Sequence, residues 1–367
     1  MKLPTSYLLP GMVLARPVYG PRGEMLLNRG VTLTPQYISG LRRCGVLAVH
    51  VEGPVPLEVL EKAKQTLEEE VRAHTMNVVR SWAEHGVKKV NFASVVEQVR
   101  SVVDEILAGK APLGGLAEIS SADSYTFAHS VDVCVLSVAA GVKLGYRRSD
   151  LIKLGIGALL HDLGKTKVPP EILNKPGRLT PAEFAEIKKH PAWGYKLLLE
   201  EVDGEADPAS AEIILNHHER YDGSGYPRGL HGERLSEMSM VCAAADMYNA
   251  ITTDRVYRPA LPPHEAYEML MGAGGTLVDF RVVQAFLACV EPYPVGSLVR
   301  LSTGDVACVT AVDPSLPFRP TVAIVPSGEI LDLKRELSVV ITGALSAEEA
   351  RSLAAMPDGT VRMAATA

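Results

Sequence analysis

The chain has 367 residues, enough for two or three domains at about 150 residues each, and a composition of 47% hydrophobic and 22% charged residues excludes wholesale disorder. With 37 basic against 43 acidic residues the net charge is −6, and no long basic run occurs, so tight binding to a duplex nucleic-acid backbone has little electrostatic support. The five cysteines are odd in number, widely spaced and never paired as CxxC, which argues against a disulfide framework; with no signal-peptide core and no run of about 20 apolar residues, a cytoplasmic protein without membrane insertion is expected.

Residues 1–55 read as a small α/β unit. GMVLARPVYGPRGEMLLNRG offers two strand-like runs around a Pro-Arg-Gly turn, Thr34 caps a helix with Pro35 in its first turn, and Gly45 precedes the strand LAVHV. Residues 56–114 are expected to form a helical linker region. Its narrow stripe at Leu60, Ala63, Leu67, Val71 and Val78 suits a helix packed on its own domain; a dimer-forming seam is the alternative, though Ala63 and His74 suit it poorly. A second helix is expected from Phe92 to Leu107. Residues 115–291 read as helix after helix, and residues 292–345 as a small all-β module with turns at Thr-Gly-Asp and Pro-Ser-Gly. Ser346 and Glu349 form a capping-box signature for a short last helix, followed by a loose tail to residue 367. The expected fold class is therefore mainly α, with small flanking α/β and β units.

Chemistry is concentrated in the helical segment, where His129, His161, His190, His217 and His218 have polar neighbours. Neutral imidazole with carboxylate is a ligand set for divalent iron, manganese or zinc, although any one such histidine alone is more often a hydrogen-bonded structural residue. His161 and Asp162 close the buried-looking stripe of LIKLGIGALLHDLGK, with Gly164 expected to end the helix. Asp162 as a mere helix terminus is poorly explained, because a helix carboxyl end disfavours an anion unless a cation lies nearby. Thr180, Pro181 and Glu183 set the phase of the helix TPAEFAEIKKH, and Pro191 biases His190 away from helical geometry. In AEIILNHHERYDGSGYP, His217 and His218 close a helix before a loop containing Gly223 and Gly225.

HDLGK (161–165), the upstream His129, His190, HHERYDGSGYP (217–227) and AADMYNAITTDRVYRP (244–259) occur in the order seen in the HD-GYP family, a branch of the HD-domain metal-dependent phosphohydrolases, which this segment resembles. The resemblance implies a helical HD-type bundle that hydrolyses cyclic di-GMP to pGpG or GMP with iron or manganese. It implies that His129, His161, Asp162 and Asp246 hold one metal, and that Asp162 bridges to a second held by His190, His217 and His218. Two divalent ions against two aspartates would leave a positive pocket for phosphate in an acidic protein. The family's lysine corresponds to Lys165, placed to neutralise phosphate or protonate the leaving 3′ oxygen; a solvated helix-end lysine is the alternative. Arg255 and Arg258 match positions that contact phosphates or guanine, and Tyr226 lies in the Gly-Tyr-Pro loop, although each could instead be a surface or core residue.

Two departures from the family pattern stand out. Members with a third metal carry a glutamate where this chain has Tyr125, so two metals are expected; and Asn249-Ala250 replaces the usual Asp-Ala, which keeps the shape and loses the charge behind a ligand. The alternatives to a phosphodiesterase are a catalytically weak cyclic di-GMP receptor signalling through its flanks, or an HD-type phosphohydrolase acting on another nucleotide. A homodimer or a signalling protein partner is left open.

Overall fold

A computed structural model describes residues 2–4, 8, 11–14, 17–19, 25–44, 48–52, 92–108, 125–175, 177–202, 205–253, 260–325, 327–346 and 349. The chain divides into two compact units, one of residues Met1–Arg72 with Lys110–Pro112 and the other of Ala73–Gly109 with Leu113–Ala367. The expected stripe at Leu60 to Val78 and the tail after residue 350 lie outside the described residues.

In the first unit β1 (Lys2–Pro4) and β2 (Val13–Leu14) flank β5 (Ala48–Glu52), both antiparallel to it, while β3 (Val18–Tyr19) pairs with β4 (Met25–Leu27). Thr34 caps α1 (Pro35–Arg43) by accepting from the Tyr37 N–H at 3.2 Å, and Ile38 and Leu41 drop from that helix into a core with Leu14, Leu33 and Val49.

The second unit is a helical bundle built on α2 (Phe92–Leu107), α3 (Tyr125–Lys143), α4 (Arg148–Leu159), α5 (Pro170–Leu173), α6 (Pro181–Ile187), α7 (His190–Glu201), α8 (Pro208–Asn216), α9 (Glu237–Thr252), α10 (Pro263–Gly272) and α11 (Phe280–Leu287). The helix expected at 92–107 packs on α4 through Val99, with Val95 and Val102 also buried, within the same compact unit as the histidine-bearing helices. Two glycines let α4 sit in the middle. A Cβ on Gly155 would lie 2.6 Å from Val99 Cγ1, and one on Gly157 would lie 2.7 Å from Ile213 Cβ, so side chains of α2 and α8 seat directly on the α4 backbone. Leu151, Leu154 and Leu159 are fully buried around this contact, each worth about 1.5–3 kcal/mol of transfer energy.

The C-terminal β module is an antiparallel sheet of order β10-β6-β7-β8-β9, comprising β6 (Leu298–Leu301), β7 (Val306–Ala311), β8 (Thr321–Val325), β9 (Ile330–Asp332) and β10 (Ile341–Ala344). It packs one face around Val299, Val309, Val322 and Leu333. The Ser346–Glu349 box is formed reciprocally: the Ser346 N–H donates to Glu349 at 2.8 Å, and the Glu349 N–H donates to the Ser346 hydroxyl at 3.2 Å. Among the described residues no helix is long and apolar enough to cross a membrane.

Candidate metal centre

The bundle brings its histidines together by a shared backbone device. Helices leave their last carbonyls without intrahelical donors, and three histidines at such ends take them with Nδ1: His161 from the Ala158 carbonyl at 2.7 Å, His190 from Ile187 at 2.8 Å and His217 from Ile214 at 2.8 Å. A carbonyl only accepts, so each Nδ1 carries the proton and each Nε2 keeps a lone pair facing inward. His190 can use the Ile187 carbonyl because Pro191, four residues on from Ile187, has no N–H to offer it.

Two expectations about these helix ends are corrected. Gly164 does not end a helix: α4 stops at Leu159, and Gly164 lies buried in the 3-10 turn Leu163–Lys167. Its function is close approach, since a Cβ there would lie within contact of the His190 carbonyl oxygen and 2.5 Å from the Gly194 N. His190 does not leave helical geometry either, for it is the first residue of α7, and Pro191 takes the second position, where its missing N–H costs nothing.

Asp162 stands at the centre. Its Oδ1 lies 3.4 Å from His190 Nε2 and 3.9 Å from His217 Nε2, while its Oδ2 lies 3.4 Å from His161 Nε2 and 3.8 Å from His129 Nε2. His129 Nε2 is 3.1 Å from Asp246 Oδ1, and His218 Nδ1 is 4.0 Å from Asp246 Oδ2. Two groups result, Asp162 with His190, His217 and His218, and His129 with His161 and Asp246, each with its ligand atoms within 4.8 Å of one another.

The donor set fits bound metal. Nε2 of His190 and Nε2 of His217 face each other at 3.2 Å although both Nδ1 atoms already hold the protons, so two lone pairs converge. His161 Nε2 and Asp162 Oδ1 are buried with no hydrogen-bond partner. Such contacts are unfavourable between the groups alone and are the spacing expected of neighbouring donors at about 2.0–2.2 Å from one ion.

Electrostatics points the same way at His217, His218 and the two aspartates, and the opposite way at His161. Burial holds His217 well below the ordinary histidine range and brings His218 to about 3, so both rings are neutral donors. Burial alone would raise Asp162 and Asp246, but the neighbouring histidines, with Lys165 in the case of Asp162, outweigh it and hold both carboxylates well below their usual range. At His161 burial is likewise outweighed, here by Asp162, and the ring is raised.

Residues 104–282 match the HD domain family, and residues 298–353 match the KOW domain associated with HD domain. The chain is 35% identical over 265 residues to a cyclic di-GMP phosphodiesterase of Pseudomonas aeruginosa, covering 70% of this chain and 62% of that relative. It is 30% identical over 217 residues to a cyclic di-GMP phosphodiesterase of Borreliella burgdorferi, covering 59% of this chain and 56% of that one. Among solved structures it shares the fold of a HDG"Y"P protein from Bdellovibrio bacteriovorus, with a TM-score of 0.52 over 78% of this chain and 98% of that chain at 20% identity. Residues 104–282 thus carry an HD domain. The chain spans less than two thirds of the length of these two curated relatives.

The loop carrying Gly225, Tyr226 and Pro227 follows His218 directly. The Tyr226 N–H donates to the His218 carbonyl at 3.1 Å, and the Tyr226 ring lies 4.8 Å from that of His218 at 32°. Gly225 makes the turn: a Cβ there would lie 2.4 Å from the Arg220 N. Glu219, missed in the sequence, is buried beneath the loop and accepts from the N–H groups of Arg228 at 2.6 Å and Leu230 at 3.0 Å. Phe184, also missed, meets Tyr226 edge-on at 6.5 Å while remaining 46% exposed, and Lys188 Nζ lies 5.3 Å from the Phe184 ring centroid. Apart from its place four residues beyond the Thr180 cap, nothing local marks it.

Lys165 donates to Asp162 Oδ2 at 2.6 Å and is 29% exposed at its side chain. Arg255 and Arg258 lie outside the described residues, as does the side chain of Tyr125. Asn249 faces His129, with its Oδ1 2.7 Å from His129 Nδ1, and behind it stands the buried Asp132.

Proposed function

We propose that this chain is an HD-GYP phosphodiesterase that hydrolyses cyclic di-GMP to linear pGpG or onward to GMP, using two divalent ions, iron or manganese, at the histidine–aspartate cluster. The observation that carries the reading is the position of Asp162, whose two oxygens face different donor groups: Oδ1 towards His190 and His217, and Oδ2 towards His161 and His129. In this reading His129, His161 and Asp246 would hold one ion and His190, His217 and His218 the other, with Asp162 available to both. Ions bound there would supply positive charge to a phosphodiester and lower the pKa of a water beside it. The relatives' names supply the substrate class, since both of those described above are cyclic di-GMP phosphodiesterases.

The chain's own groups then have distinct tasks. Lys165, 2.6 Å from Asp162 and partly open to solvent, is the cation beside the transferred phosphoryl group; when the P–O3′ bond breaks it gives a proton to the leaving oxygen. The face of Tyr226 and the exposed ring of Phe184 form an aromatic step leading away from His218, suited to hold a purine base while the phosphate sits at the cluster. Arg255 and Arg258 are proposed to read phosphate or guanine from the segment that follows α9.

One experiment separates the readings: purified protein loaded anaerobically with Fe2+ or Mn2+ is given cyclic di-GMP, linear pGpG and GMP in parallel. Consumption of the cyclic dinucleotide is expected. Turnover confined to a mononucleotide would assign another phosphoester, and binding without turnover would assign a receptor.

A further inference from the structure

His129 is held differently from the other cluster histidines. It lies inside α3, where main-chain carbonyls serve the helix itself, so its Nδ1 is held by a side chain, Asn249 Oδ1 at 2.7 Å. The other end of that amide, Nδ2, donates to Asp132 Oδ2 at 3.3 Å, and all three side chains are buried.

An amide can be turned either way, and the two orientations have opposite consequences for the metal centre. With Oδ1 towards the ring, Asn249 accepts the Nδ1 proton and leaves His129 Nε2 as a lone pair 3.1 Å from Asp246 Oδ1. Reversed, Asn249 would donate to Nδ1, the proton would move to Nε2 and point into the donor group, and the ring could not ligate. The reversed orientation would also set the amide oxygen against a carboxylate, acceptor against acceptor, in a buried place. Asp132 therefore selects the ligating tautomer from one residue further out.

We infer that Asp132 is a positioning residue of the metal centre, acting through Asn249 on His129, and that it supplies the carboxylate behind that ligand which Asn249 itself does not. The inference rests on the two-ion reading above. A carboxylate behind a ligating histidine typically governs metal affinity by about 10–100-fold.

The test is Mn2+ binding by chelator competition on the full chain, together with steady-state kinetics, for wild type, Asp132→Asn, Asn249→Asp and the double variant. Asp132→Asn lets the amide turn and should weaken one of the two sites by about 10–100-fold while leaving the other near wild type. Asn249→Asp alone sets two carboxylates face to face and should also weaken that site. The double variant exchanges the two groups, placing a carboxylate directly on His129 Nδ1 with the amide behind it donating to that carboxylate. It should recover most of the loss, a rescue that a merely space-filling role for Asp132 would not produce. Wild-type affinity in Asp132→Asn, or a double variant no better than Asp132→Asn, overturns the inference. A wild type that binds no Mn2+ sinks the two-ion reading and the inference together. A wild type that binds two ions and shows the rescue, yet leaves cyclic di-GMP intact, sinks only the proposed function.

Discussion

At the scale of single residues, Asp162 and Lys165 touch and yet should separate cleanly by substitution. Each oxygen of Asp162 faces a different donor group, so Asp162→Ala should remove metal retention and turnover together, whereas Lys165 contributes no atom to either group and Lys165→Ala should keep the metals and lower kcat by about 10²–10⁴-fold. Metal content and saturating-substrate kinetics on the same preparations check this, and an unchanged kcat in Lys165→Ala would remove its role as proton donor. Phe184→Ala should raise KM for cyclic di-GMP by roughly 5–100-fold, the worth of one base stack, and leave hydrolysis of bis(p-nitrophenyl) phosphate nearly unaltered. Equal losses on both substrates would mean that Phe184 supports the loop instead. The histidines and aspartates of the cluster are legible in the sequence because their residue types and motif order carry the chemistry. Phe184, Glu219 and Asp132 are not, because each acquires its meaning from a neighbour farther along the chain, 117 residues away for the Asp132–Asn249 hydrogen bond.

Among elements, the short turn Leu163–Lys167 and α7 form the joint that sets the distance between His161 and His190. The contact is backbone on backbone: a Cβ at Gly164 would be driven into the His190 carbonyl. Gly164→Ala must therefore move α7, and with it His190, at a cost of about 1–3 kcal/mol or more. The expected result is a lower melting temperature and a loss of metal at the group holding Asp162, His190, His217 and His218; a variant that melts normally and binds metal as the wild type does would show the joint to be slack. The sequence misplaces this helix end for a physical reason. A glycine after an apolar stripe ordinarily marks a left-handed cap, but here Gly164 serves a tertiary contact, and the helix stops earlier, where His161 takes the Ala158 carbonyl. Local signals are reliable where they are self-contained, as at the Thr180–Glu183 capping box, in which each residue satisfies the other's backbone N–H.

For the molecule as a whole, the long helices and the paired hairpins β6–β7 and β8–β9 are legible from periodicity, while three-residue β1 is not, since its identity comes from pairing with β5 at Lys2↔His50. Aromatic contacts join the β module to the bundle, Tyr267 on α10 meeting Phe318 edge-on at 5.1 Å. Stability of the metal-free chain should carry the signature of its buried cluster. His217 and His218 are depressed by burial, so the unfolded chain binds more protons than the folded one below about pH 6.5, and folding weakens as pH falls. For His218, with a folded value of about 3, the loss reaches up to about 2 kcal/mol at pH 5. Asp162 and Asp246 are lowered too, and their loss begins only below about pH 4, where unfolded carboxylates protonate. His161 has the opposite sign: its raised value contributes stability in full below about pH 6.5 and loses it as pH rises through the folded value. Two depressed histidines against one raised give a net fall between pH 8 and pH 5. Melting curves of metal-free protein across that range should therefore shift downward on acidification, and His218→Gln should flatten the shift. Saturating Mn2+ should steepen it, because ions require the neutral rings and stabilise more at pH 8 than at pH 5. A melting temperature that climbs steadily from pH 8 to pH 5 would show that His161, not the His217–His218 pair, governs the cluster.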